Sequence, residues 1–184
     1  MGAGADRLFI LASTIDHYVM RLLNRGEFER ALPLVQEGLQ ACEARGYMTG
    51  VAAFWSHSGQ LALLQGDLPQ ARRLLSQAVE LATDAIHPIV LHRTQMLLAA
   101  ATLYGNEPTE ARRLLLESLQ TWKNIGDTVQ LARSYIYLAG AALWEGKRED
   151  SVQWLAQAIA YRIQPSHLGG AVCDALFVPA RLSI

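Results

Sequence analysis

The chain has 184 residues and a formal net charge of −1, with 51 % apolar and 18 % charged residues. That apolar content excludes a disordered chain, and near-neutrality without a basic stripe excludes direct nucleic-acid binding by phosphate tracking. Two cysteines, Cys42 and Cys173, permit at most one disulfide and no cysteine-based zinc site. No apolar stretch approaches the roughly 18 residues that a membrane span needs, and the N-terminal Leu-Phe-Ile-Leu-Ala stretch lacks the basic lead-in of a secretion signal. The expectation is a soluble, cytoplasmic protein without a membrane partner.

Composition predicts an all-α fold, because 27 Ala and 29 Leu stand against six Pro and no alternating β-branched run occurs. Turn signals place helices over about 7–24, 28–45, 51–65, 68–85, 91–104, 108–124, 131–145 and 148–163. Asp67 followed by Pro69 is a good helix start, a capping side chain and then a proline in the first turn. Pro33 falls about a turn into its helix, where proline bends a helix. Residues 169–184 take the place of one more helix, which would cover the last hairpin or pack on a second copy to form a homodimer.

The turns repeat every 40 residues. Gly26-Glu-Phe-Glu-Arg-Ala31 returns as Gly66-Asp-Leu-Pro-Gln-Ala71, then as Asn106-Glu-Pro-Thr-Glu-Ala111 and Gly146-Lys-Arg-Glu-Asp-Ser151. Four helical hairpins follow, over about 7–45, 51–85, 91–125 and 131–164, in a single repeat domain spanning 1–184. Small residues occupy three matched columns: Val19, Gly59, Ala99 and Ala139, of which only Val19 is larger; Ala31, Ala71, Ala111 and Ser151; and Gly38, Ala78, Ser118 and Ala158. Small residues on facing helices let two axes approach closely. Large apolar columns fill the space between them, Val35, Leu75, Leu115 and Leu155 with Leu23, Leu63, Leu103 and Leu143. Glu37, Gln77, Glu117 and Gln157 mark a solvated face.

This pattern resembles the tetratricopeptide repeat. Trp55, Gly59, Ala71 and Ala78 fall at the family spacing, and Tyr135, Leu138, Ala139, Ser151, Leu155 and Ala158 echo it in the fourth copy. Ser58, Ala62, Leu75 and Thr83 depart from it. The 40-residue form is similar to the helical arrays of bacterial regulators of the maltose-activator type and other large signalling ATPases. The resemblance covers about residues 7–165. It implies an α-solenoid, a right-handed superhelix of four hairpins plus a C-terminal capping helix, and a scaffold or signalling role.

Catalytic groupings are thin. Gly2-Ala-Gly-Ala5 lacks the rest of a phosphate loop, and no Gly-x-Ser-x-Gly elbow appears. Cys173 and His167 have no orienting third group. His17 and His57 share a column near Asp16 without enough ligands for a metal. His87 and His92 read as plain loop or surface residues. The expectation is a protein that is not an enzyme and that carries no cofactor and no metal.

The resemblance places partner binding in the concave groove, lined by one face of the first helix of each hairpin. Transferred by position, that face presents Asp16, His17, Ser56, His57, Gln60, Arg93, Met96, Arg133, Tyr137 and Trp144. Arg93 and Arg133, one repeat apart, could grip a carboxylate or phosphate with forked hydrogen bonds, or each could pair with an acidic residue of a neighbouring helix. Met96, Ile136, Tyr137, Tyr104 and Trp144 give one half of the groove an apolar floor. The expected function is a protein–protein interaction module that binds a peptide or protein partner. The alternative is an effector-sensing module of a bacterial transcriptional or signalling regulator that binds a small ligand.

Overall fold

Left-handed backbone positions at 26, 46, 66, 106, 126 and 146 cut the described chain into helices short enough to fold back on one another. In a computed structural model that describes residues 3–84 and 87–161, these helices are α1 (Ala3–Asn24), α2 (Phe28–Glu43), α3 (Met48–Gln65), α4 (Leu68–Asp84), α5 (Pro88–Tyr104), α6 (Pro108–Ile125), α7 (Thr128–Trp144) and α8 (Arg148–Ala160). Among the described residues there is no strand. The helix expected over 169–184, together with His167, Gly169, Gly170 and Cys173, lies outside the described residues.

At the first turn Gly26 has φ +75°, and the Glu27 N–H bonds back to the Leu22 carbonyl at 2.9 Å. The Glu27 carbonyl in turn accepts from Ala31 N–H at 3.1 Å, so a single residue closes α1 and opens α2. Tyr47, Asp67, Glu107, Asp127 and Lys147 do the same at later turns. This economy explains a difference from the sequence-based boundaries: α3, α5 and α7 begin at 48, 88 and 128, three residues earlier than expected. Asn106 holds the left-handed position in the third repeat with φ +64°. Asparagine tolerates that conformation, and its Oδ1 accepts the Trp144 Nε1–H at 2.7 Å. Asp67 caps α4 by accepting from Gln70 N–H at 3.0 Å, and α2 runs unbroken through Pro33.

Contacts group the chain into two units, Met1–Leu97 and Leu98–Ile184. In the first, α1 packs on α2, α2 on α3, α3 on α4, and α1 also touches α3. In the second, α6 packs on α7 and α7 on α8. The second helix of a hairpin buries one narrow stripe: Ala31, Val35, Gly38 and Cys42 on α2, and Ala71, Leu75, Ala78 and Ala82 on α4. By contrast α3 and α7 are buried nearly all round, since helices pack on both of their sides.

The small columns mark points of close approach. A Cβ at Gly59 would stand 2.6 Å from Leu75 Cγ, and one at Gly38 would run into the Phe54 ring. All twelve residues of the three small columns are buried. The large columns are buried too, except that Leu155 is half-exposed and Leu143 is 43 % exposed in the last hairpin. Glu37, Gln77, Glu117 and Gln157 all face solvent.

Candidate functional site

The first unit holds a charged cluster built from three successive first helices. Asp16 lies in the middle of α1, His57 in the middle of α3 and Arg93 in the first turns of α5. Arg93 reaches Asp16 across 77 positions of sequence, with Nη2 donating to Oδ1 at 2.9 Å and Nη1 to Oδ2 at 3.2 Å. His57 Nε2 makes a third bond, 2.8 Å to Asp16 Oδ1. The α3 residue in the same repeat column as Arg93 is Ala53, a side chain too short to obstruct that span.

Electrostatics fixes the charge states. Burial would raise the Asp16 pKa, but the His57 hydrogen bond and the Arg93 charge outweigh it and hold the carboxyl far below the usual carboxylate range. An ionised carboxylate only accepts, so His57 Nε2 carries the hydrogen. Burial lowers the His57 pKa, and the hydrogen bond to Asp16 opposes this only in part. The resting cluster is therefore one carboxylate, one guanidinium and one neutral imidazole. His57 Nδ1, Arg93 Nε and Ser56 Oγ are buried with no hydrogen-bond partner among the described residues.

The expected groove residues fall into two groups. Ser56, His57, Arg93 and Met96 are buried in the first unit, and Arg133 and Tyr137 are buried in the second. Arg93 follows the pairing alternative, because its fork is engaged by Asp16. Burial lowers the Arg133 pKa, with Tyr137 and Asp127 acting to raise it. His17 is exposed, with Nδ1 2.7 Å from the Ser13 carbonyl oxygen, so it and His57 face different surroundings. Gln60 and Trp144 are half-exposed, and Trp144 donates to Asn106. His87, expected as a plain loop residue, accepts the Val90 N–H at the start of α5, and His92 pairs with Gln95 at 2.7 Å.

On the first-helix face of the first unit, Ser13 and Asp16 are half-exposed, and the other accessible side chains lie from the middle of the helices toward the hairpin turns. There His17 is exposed, while Met20, Asn24, Gln60 and Leu64 are half-exposed. Sequence reasoning placed Asp16, His57 and Arg93 on this face but missed that they bond to one another. The available signal was their placement in adjacent columns of three consecutive first helices.

Among the described residues no group of three or more His, Cys, Asp or Glu side chains is placed to hold a metal ion. None of the described helices is long and apolar enough to cross a membrane. No family model matches the chain, and no curated protein matches its sequence.

Proposed function

We propose that the chain is a non-catalytic interaction module, a solenoid of tetratricopeptide-like hairpins, that holds a peptide or protein partner on the accessible ends of its first helices. The observation that carries this reading is the strip formed by His17, Met20 and Asn24 on α1 with Gln60 and Leu64 on α3. Its side chains differ from copy to copy and reach solvent, whereas the packing columns of the first unit are buried. A mixture of thioether, aliphatic and amide groups suits a peptide that offers both apolar side chains and backbone polar groups. The small-effector reading draws less support, because the Asp16 carboxylate is bound by the Arg93 fork and by His57 Nε2.

The test is the pair of changes Met20→Glu and Leu64→Glu, in a protein captured together with a partner purified from the native host. Two charges placed in an apolar contact should weaken that complex at least tenfold, the scale of one interface hot spot. Both sites are half-exposed, so thermal melting should stay close to wild type. Unchanged affinity in a folded double variant would remove the strip as the binding surface.

A further inference from the structure

We propose that Asp16, His57 and Arg93 form an acid-released latch that fastens α1 to α3 and α5. The latch itself rests on the geometry of the first unit, and only its consequence for partner binding rests on the reading above. Asp16 supplies all the negative charge of the cluster and accepts three hydrogen bonds, two from α5 and one from α3. Because the bonding partners are on different helices, displacing α1 breaks all three bonds at once.

His57 is the titrating member. Its side chain is 1 % exposed, and its Nδ1 has no acceptor among the described residues. A second proton must go on Nδ1, which places a buried N–H⁺ beside the Arg93 guanidinium with nothing to receive its hydrogen bond. The groups that act on it are Asp16 and His17 from α1 and Arg93 from α5. On α2 and α4, the other helices packed against α3, the charged side chains Glu29, Arg30, Glu37, Glu43, Arg73, Glu80 and Asp84 are exposed, Arg72 is half-exposed, and Cys42 is a buried thiol. Among the described residues only Asp16 offers the imidazolium a direct hydrogen bond, on the nitrogen already bonded.

The sign follows from linkage. The released form exposes His57 to water and takes up a proton near the ordinary imidazole value of about 6.5, whereas the latched form resists protonation. The latch is at full strength above that pH. As pH falls below it, the released population rises about tenfold per pH unit until the lower latched value is reached. Asp16 contributes to the pH dependence only once ordinary carboxylates begin to protonate, near pH 4, so the two windows are separate. Release would part His17, Met20 and Asn24 from Gln60 and Leu64 and so divide the proposed partner strip.

The experiment is backbone hydrogen exchange of the full chain, without partner, from pH 7.5 to pH 5 and corrected for intrinsic exchange. Protection of the α1 amides should fall about tenfold per pH unit below about 6.5, while that of α7 stays level. His57→Gln keeps a side-chain N–H able to donate to Asp16 but cannot titrate, so its α1 protection should be flat. His17→Gln should retain the wild-type slope. Flat protection in the wild type, or an undiminished slope in His57→Gln, overturns the latch. Should His57→Gln fail to fold, an imidazole NMR titration of the wild type decides: a His57 pKa at or above the ordinary value overturns the latch, and one below it upholds it. A pH-dependent α1 with partner affinity that ignores pH would count against the interaction reading and leave the latch standing.

Discussion

Gly38→Ala tests the closest helix approach in the first unit. The added Cβ would lie 2.7 Å from Phe54 Cε2 and closer still to Cζ and Cε1, far inside van der Waals contact. Phe54 is fully buried and sits against Cys42, Val51 and Ala12, so a shift of the ring presses on packed neighbours. Removing a glycine from a helix interior stabilises by about 1 kcal/mol. Forcing a methyl into a filled core costs about 1–3 kcal/mol, and a rigid buried ring puts this site at the upper end. The net is a loss of about 2 kcal/mol, or about 4–8 °C in melting temperature for a chain of this length. The assay is thermal melting and urea unfolding of Gly38→Ala, Phe54→Leu and the double variant. Shortening Phe54 should make room for the methyl, so the double variant should be more stable than the sum of the single losses by about 1 kcal/mol or more. A Gly38→Ala protein that melts at or above wild type would show that α2 and α3 do not approach as closely as described.

Two further perturbations separate partners from turns. Asp16→Ala leaves the Arg93 charge buried without its carboxylate and should cost about 3–5 kcal/mol in urea unfolding, whereas the apolar pair Asp16→Leu with Arg93→Met should recover much of that loss; equal losses for the two proteins would refute the paired-charge account. Asn106→Gly relieves a positive φ but removes the bond to Trp144, so its stability should stay within about 1 kcal/mol of wild type, while Asn106→Val should lose clearly more in thermal melts, because a β-branched residue resists the left-handed region.

The local sequence determined much of the architecture. Glycine or asparagine at 26, 46, 66, 106, 126 and 146 sets left-handed turns because few other residues adopt that backbone cheaply, and this alone divides the chain into helices of predictable length. The small residues at Ala31, Ala71, Gly38, Ala78 and Gly59 could be read as helix contacts because their size recurs at a 40-residue period. What the sequence did not show was which polar groups of the inner face turn toward each other. Asp16 is bound by Arg93 from 77 positions away, and Arg93, which by sequence could equally grip a ligand or pair with a neighbouring helix, is buried and paired. Nothing in the residues around position 93 carries that information. It depends on α1, α3 and α5 being brought side by side, on the short Ala53 between them, and on the loss of water that makes pairing the only stable state for a charge. Column position, a local property, marks which residues can meet. Only the packed helices decide that these three do, and which side chains of that face stay open to solvent.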